Sequence, residues 1–196
     1  EDVNLFRNFP QERRKFFNRI ISFNDSIYIK NFQKYSKIIS EKNALLKQGN
    51  TDQIPLWNSM LARSAVKLMK QRNNFVESIN NHLSDIFKDL SGRDEILKLV
   101  YKPSLITNNF QESEILLQLK NNLTRDLQYG FASTGPHRDE YHLILDGKKD
   151  RDYFSQGEFR ITNLSLIMTI NRLLSIKYSF SPVLIFDDLF SELDDG

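Results

Sequence analysis

The chain has 196 residues, of which 40% are hydrophobic, so it can bury a core as one domain or two small ones. It contains no cysteine, which excludes a disulfide scaffold or a cysteine-based zinc site and is typical of a reducing cytoplasm. The net charge of +2 is unevenly placed, because residues 11–72 hold thirteen Lys and Arg against four Asp and Glu, whereas residues 91–196 hold twelve against sixteen. The basic part predicts a polyanionic partner such as nucleic acid, with a solvated helical face as the alternative. No apolar run approaches ~18 residues, so no membrane-spanning segment is expected.

Residues 1–10 are predicted to be a connector, and residues 11–90 a basic helical arm. Apolar residues recur there at helical spacing. Three helices are predicted, at Gln11–Ile21, from a cap at Asn24 or Asp25 to about Gln48, and from about Pro55 to Leu90. Because a short polar turn joins the last two, they are expected to form an antiparallel hairpin. On the first helix, Arg13, Arg14 and Lys15 are candidates for contacts with DNA phosphates, with pairing to an acidic surface as the alternative.

Residues 91–196 are predicted to mix strands and helices. The alternating stretch Glu95–Lys102 predicts a strand, and Phe110–Leu127 predicts a helix that ends at Tyr129–Gly130. A second strand at Tyr141–Leu145 is followed by a hairpin-turn signal, Asp146–Gly147, and by a partner strand at Arg151–Phe154.

The string Gly135–Arg138, with sequence GPHR, combines turn formers with two polar side chains. One interpretation places His137 and Arg138 near a nucleotide, DNA or a dimer interface. The other is a structural turn in which Arg138 pairs with Asp139 or Glu140. The sequence does not choose between them.

A long helix is predicted from about Glu158 to Ile176, with Ser155 as its cap. Glu158 lies three residues after Ser155, which is the spacing of a capping box. Gly157 between them permits a close backbone approach to a ligand. A helix N-terminus with these features is a favourable phosphate site.

The stretch Pro182–Asp195, PVLIFDDLFSELDD, begins with an apolar run that predicts a strand buried on both faces. Two carboxylates, Asp187 and Asp188, follow the run directly. Burying an unpaired carboxylate costs several kcal/mol, so this pair requires a metal, another cation or solvent. A core strand that ends in a turn with capping Asp residues is the alternative.

Together, SQGEFR (Ser155–Arg160) and PVLIFDDLFSELD resemble the signature motif, Walker B strand and D-loop of an ABC-type ATPase head. Three further stretches are similar to the RecF family of SMC-related bacterial repair proteins, in the same order: PQERRKFFNRI, EKNALLKQ and STGPHRDEYHLILDGK. The resemblance implies an α/β fold with a mainly α-helical arm. It consists of a partial ABC-type (P-loop NTPase) head at residues 91–196 plus the antiparallel helical hairpin.

The resemblance also implies roles for individual residues. Asp187 would bind Mg²⁺, and Asp188 would be the catalytic residue that orients the attacking water. Ser155, Gln156, Gly157 and Glu158 match the signature motif, which contacts ATP held by the opposite subunit. Two further residues in the stretch SELD, Ser191 and Asp194, match the D-loop at that dimer interface.

For the whole protein, the resemblance implies ATP-dependent binding to double-stranded and gapped DNA, and a homodimer that forms on ATP. It further implies work with RecR, RecO and RecA in replication, recombinational repair and the SOS response. The sequence contains no G-x-x-x-x-G-K-[ST] motif, so we expect a piece that lacks the Walker A lobe and hydrolyses no ATP alone. The alternative from another class is a non-enzymatic helical module that binds DNA or protein.

Overall fold

The structure is a computed structural model that describes residues 5–7, 9–149, 154–180 and 182–185. Its described helices and strands are, in chain order, α1 (Pro10–Asn24), α2 (Ser26–Lys47), α3 (Ile54–Ser91), β1 (Leu97–Lys102), α4 (Glu112–Asn121), α5 (Leu123–Tyr129), β2 (Glu140–Leu145), β3 (Lys148–Lys149) and α6 (Gln156–Tyr178). A short 3₁₀ turn at Pro136–Arg138 precedes β2. None of these helices is both long and apolar enough to cross a membrane.

The chain divides into two compact units. One comprises Glu1–Phe9, Glu77–Val100 and His142–Gly196, and the other Pro10–Val76 and Tyr101–Tyr141. In the first unit, side chains of α3 bond to the backbone of β1, as Asn80 Nδ2 does to the Leu99 carbonyl at 2.8 Å. In the second, α1 packs against α2, and α2 against α5.

The predicted antiparallel hairpin of α2 and α3 is confirmed. Asp25 caps α2, since its carboxylate accepts a hydrogen bond from the Ile27 N–H at 2.9 Å. Along the pair, Asn31 bonds Gln71 at 2.9 Å and Tyr28 bonds Arg72 at 2.9 Å. The earlier residue of α2, Tyr28, thus bonds the later residue of α3, Arg72. This order is the one that antiparallel helices have. The predicted apolar stripe of α3 is core, including the fully buried Leu61, Ala65, Leu68 and Met69.

The three described strands form one sheet in the order β1-β2-β3. β2 and β3 are antiparallel, with Leu145 opposite Lys148. Asp146 and Gly147 both have positive φ, 44° and 81°, as the predicted hairpin turn requires. The partner strand begins at Lys148, directly after the two-residue turn, whereas the sequence predicts it at Arg151–Phe154. Residues 150–153 lie outside the described part.

Two further predictions need correction. The single helix expected at Phe110–Leu127 is two helices, α4 and α5, which meet at Asn122. Asn122 is the C-cap of α4 and the N-cap of α5, and its side chain bonds Thr134 Oγ1 at 3.0 Å.

The described residues 182–185 are not a buried strand. They have no regular structure, and Val183 and Ile185 are 87% and 89% exposed. A strand buried on both faces needs neighbouring strands at its edges, and β1, β2 and β3 do not supply them for this segment. The acidic residues that follow lie outside the described part.

Candidate functional site

The N-terminus of α6 has the predicted capping box. Ser155 Oγ accepts a hydrogen bond from the Glu158 N–H at 3.2 Å, and Glu158 Oε2 accepts one from the Ser155 N–H at 2.8 Å. Ser155, Gln156 and Gly157 are exposed. The first N–H groups of a helix have no partner within it, so this fixed, open helix end can bind an anion.

The Glu158 carboxylate is occupied within this unit. Besides the cap, it accepts a hydrogen bond from Arg93 Nη2 at 3.2 Å. The Ser155 backbone N–H is the main reason that the pKa of Glu158 is lowered, and Arg93 adds to it. The Glu158 side chain therefore fixes the first turn of α6, and Ser155 and Gly157 are exposed on that turn.

Gly157 is not required by the packing of this chain. A Cβ at this position would meet no atom within 4 Å among the described residues. Glycine in a helix is about 1 kcal/mol less favourable than alanine. Its presence on an exposed first turn is therefore consistent with a close approach from outside the chain.

Four predicted site residues, Asp187, Asp188, Ser191 and Asp194, lie outside the described residues. Their metal, catalytic and interface roles stay predictions. Within the described ranges, no group of three or more His, Asp or Glu side chains is arranged to hold a metal ion.

The GPHR string is built into the second unit by its backbone and by His137. Gly135 has φ 139° and ψ 173°, and a Cβ there would lie 2.5 Å from Tyr35 Oη. His137 Nε2 lies 3.0 Å from the Ala132 carbonyl, and its Nδ1 lies 2.6 Å from Tyr35 Oη. Because a carbonyl only accepts, Nε2 carries the proton and Nδ1 accepts from the Tyr35 hydroxyl. Burial lowers the pKa of His137 to about 4, so the ring is neutral and structural.

Asp139 is the acceptor of a buried polar cluster. Its carboxylate receives hydrogen bonds from Arg72 Nη1 at 2.6 Å, from the Ser104 N–H at 2.9 Å and from the Tyr101 hydroxyl. The alternative in which Arg138 pairs with Asp139 therefore does not hold, since Arg72 takes that place. Sequence reasoning missed Arg72, although an arginine on the apolar stripe of α3 signals a buried partner.

Arg14, Lys15 and Arg138 line one cleft of about 400 Å³ between α1, α2 and the 3₁₀ turn. The structure thus brings together two of the predicted DNA contacts and three residues of the GPHR string, Pro136, His137 and Arg138. Arg13 points elsewhere, since it is only 1% exposed and its Nη2 lies 4.0 Å from Glu140 Oε2. Its burial does not support a DNA contact.

The charges of the cleft are close together. Arg14 donates from Nη1 to the Asp139 carbonyl at 3.2 Å. Burial, and next the charge of Arg138, lower the pKa of Arg14. Arg138 is exposed, with its guanidinium carbon 5.0 Å from the centre of the Phe131 ring. The two guanidinium groups therefore repel each other across the cleft.

The chain is similar to curated proteins over nearly all of its length. A "DNA replication and repair protein RecF" from Lachnospira eligens is 33% identical over 201 residues, which cover 99% of this chain and 54% of the relative. The protein of the same description from Agathobacter rectalis is 36% identical over 199 residues, with the same coverage. The chain thus spans about half the length of the curated relatives it matches. No protein-family model matches it.

Two solved structures resemble this one. One is described as the recombination mediator protein RecF-ATP in the RecFOR pathway and matches with a TM-score of 0.90 at 30% identity. The other, described as RecF-ATPrS, matches with a TM-score of 0.89 at 29% identity. Each alignment covers 99% of this chain and 54% of the other. The expected partial ABC-type head with a helical arm is confirmed.

Proposed function

The chain belongs to the RecF family, and we propose that it is part of a protein that binds DNA in an ATP-dependent manner during replication and recombinational repair. The single observation that carries the proposal is the N-terminus of α6, where a capping box holds Ser155 and Gly157 exposed on a fixed first turn. That arrangement suits a contact with the γ-phosphate of ATP. A relative described with ATP supports the ligand.

This helix end contacts the nucleotide of a second subunit. The Ser155 hydroxyl accepts the Glu158 N–H and donates to the Glu158 carboxylate, so its proton has to turn away from Glu158 to bond a phosphate oxygen. The first N–H groups of a helix have no partner within the helix, and the helix dipole favours negative charge at this end. Gly157 leaves room for the phosphate because nothing lies within 4 Å of its missing Cβ. ATP therefore joins two subunits in a homodimer.

The remaining nucleotide chemistry belongs to residues after α6. Asp187 is the residue that would hold Mg²⁺, and Asp188 orients the water that attacks the γ-phosphate. Ser191 and Asp194 lie at the dimer interface. In this assignment the whole protein is a slow ATPase.

DNA binds to the basic arm. Residues 11–72 carry nine more positive than negative charges, and Arg14 and Lys15 are the candidate contacts on α1. The partners proposed for the whole protein are double-stranded and gapped DNA, together with RecR, RecO and RecA in the cytoplasm. The whole protein is further proposed to load RecA at gaps and to take part in the SOS response.

The test is ATP-dependent dimerisation of the full-length protein that carries this chain. Ser155→Arg should abolish the ATP-dependent dimer, measured as mass by light scattering, while each subunit still binds ATP in a titration. Ser26→Arg is the matched control, because Ser26 is an exposed serine in the first turn of α2.

Two results would contradict the proposal. One is a dimer that persists in Ser155→Arg, and the other is equal loss of dimer in Ser26→Arg. A full-length protein that binds no ATP at all would favour the non-enzymatic helical module instead.

A further inference from the structure

We propose that the cleft between α1, α2 and the 3₁₀ turn Pro136–Arg138 is a nucleotide-phosphate site, in which Arg14 and Arg138 clamp the phosphate and Phe32 faces the base. The phosphate comes either from a free nucleotide or from a nucleic-acid strand. In the second case the inference deepens the proposed DNA binding and rests on it. No residue of α6 is among the described residues that line the cleft.

The cationic wall consists of two guanidinium groups, those of Arg14 and Arg138. Among the described residues, neither Arg14 nor Arg138 forms an ion pair. One N–H of Arg14 donates to the Asp139 carbonyl, and the guanidinium group of Arg138 packs over the Phe131 ring. Their remaining N–H donors are free for a ligand. A guanidinium fork matches the geometry of phosphate oxygens, and two forks can hold one phosphate.

An anion would relieve the repulsion between these two groups. Burial, and next the charge of Arg138, lower the pKa of Arg14, while the charges of Glu140 and Asp139 raise it. A phosphate bound between the two guanidinium groups attracts both of them and so offsets their mutual repulsion. Among the described residues that line the cleft, none has a carboxylate side chain.

A third cation, Lys15, can join the clamp. Its Nζ bonds Glu12 at 2.9 Å, but both side chains are exposed. Exposed pairs of this kind contribute about 0–1 kcal/mol, so a ligand phosphate can compete with Glu12 for the ammonium group. Gln11 and Ser36 add neutral hydrogen-bonding groups to the lining.

The opposite wall is apolar. Phe32 and Ile39, both on α2 and half-buried, line the cleft. The Phe32 ring stacks on Tyr28 with centroids 6.2 Å apart, which fixes its plane. Aromatic stacking contributes about 1–3 kcal/mol per base in single-stranded nucleic-acid binding. The volume of about 400 Å³ lies in the range of small-molecule sites.

The floor of the cleft is rigid before any ligand binds. Tyr35 and His137 are joined at 2.6 Å, and Arg72 is bonded to the Pro136 carbonyl at 2.6 Å. These bonds set the position of the turn that carries Arg138. A preorganised site loses less entropy on binding, which favours affinity.

The experiment is binding by the full-length protein, measured by calorimetry. The probes are deoxyadenosine 5′-monophosphate, deoxyadenosine without phosphate, inorganic phosphate and a short single-stranded oligo-dA. Arg138→Ala should weaken binding of the monophosphate about tenfold or more, since a charge-assisted clamp is lost. Lys37→Ala, an exposed lysine of α2 outside the cleft, should leave it unchanged. Phe32→Leu should weaken the monophosphate but not inorganic phosphate.

The probes also separate the two sources of phosphate. Competition between oligo-dA and the monophosphate supports a nucleic-acid strand, and binding of the monophosphate alone supports a free nucleotide. Absence of saturable monophosphate binding, or equal losses in Arg138→Ala and Lys37→Ala, would overturn the cleft assignment. ATP-dependent dimerisation and duplex binding would be unaffected by that failure, so the proposed function is tested separately.

Discussion

Arg72 Nη1 lies 2.6 Å from Asp139 Oδ2, and both side chains are fully excluded from solvent. Arg72 also donates to the Tyr28 hydroxyl at 2.9 Å and to Asn18 Oδ1 at 3.0 Å. One guanidinium therefore ties α1, α2 and α3 to the residue that follows the 3₁₀ turn. A buried pair is not by itself strongly stabilising, but loss of one partner leaves a buried charge.

Arg72→Met should destabilise the protein by about 3–5 kcal/mol, because the Asp139 carboxylate then lacks its counter-charge. Urea unfolding at pH 7 measures this. Arg63→Met is the matched control, since Arg63 is 74% exposed and lies 3.6 Å from Glu112. Such a surface pair should be worth about 0–1 kcal/mol. Similar losses in the two variants would contradict this account of the buried pair.

Local features of this fold were predictable from the sequence. The capping box depends on two residues three positions apart, Ser155 and Glu158. The cap at Asp25 depends only on the first turn of α2. The hairpin of α2 and α3 follows from their apolar spacing and short connection. Each of these signals is complete within a short stretch of chain.

Long-range features were not predictable in the same way. The pairing of Arg72 with Asp139 joins residues 67 positions apart, and nothing local identifies the partner. Arg13 and Arg14 are adjacent, and the sequence does not distinguish them. In the structure Arg13 is buried, whereas Arg14 lines the cleft. The run that begins at Pro182 resembles a central strand, but a strand is buried only where neighbouring strands are present.

Stability should fall between pH 7 and pH 5 because of His137. Its pKa in the folded state is about 4, below the ordinary value of 6.5. The unfolded chain therefore binds the proton first, and the stabilisation present above pH 6.5 is lost as pH falls toward 4. The expected loss from pH 7 to pH 5 is about 2 kcal/mol.

Chemical denaturation at the two pH values, in the parent protein and in His137→Gln, tests this. The variant should be less stable at pH 7 and should lose less stability at pH 5. An unchanged pH dependence in the variant would show that His137 does not cause it.

Gly135→Ala should be more destabilising than an ordinary glycine replacement in a left-handed turn. Gly49 also has positive φ, 67°, but a Cβ there meets nothing within 4 Å, so Gly49→Ala costs only strain of about 1–2 kcal/mol. At Gly135 the backbone conformation is one that glycine almost alone adopts, and Tyr35 Oη obstructs the new atom. Overpacking should add about 1–3 kcal/mol. Thermal unfolding of both variants compares the costs, and equal melting temperatures would refute the crowding argument.

Duplex-DNA binding by the full-length protein should fall steeply with salt, because neutralised phosphates release counterions. Lys15→Glu should weaken it and reduce the salt slope by about one unit. Lys15 is suitable because it is exposed, whereas replacement of the buried Arg13 would disturb the core. Fluorescence anisotropy across a salt series gives both quantities. Binding that is insensitive to salt would exclude the electrostatic contact.

The last prediction separates Asp187 from Asp188 in the full-length protein. Asp187→Asn should impair binding of Mg²⁺ and ATP, because it removes the carboxylate that anchors the metal. Asp188→Asn should bind ATP nearly normally but hydrolyse it slowly, because only the placement of the attacking water is lost. The ATP-bound Asp188→Asn protein should therefore accumulate as a dimer in light scattering, and adding Ser155→Arg should dissociate it without loss of nucleotide. A variant that binds ATP but forms no dimer would show that these motifs do not meet across an ATP-bridged interface.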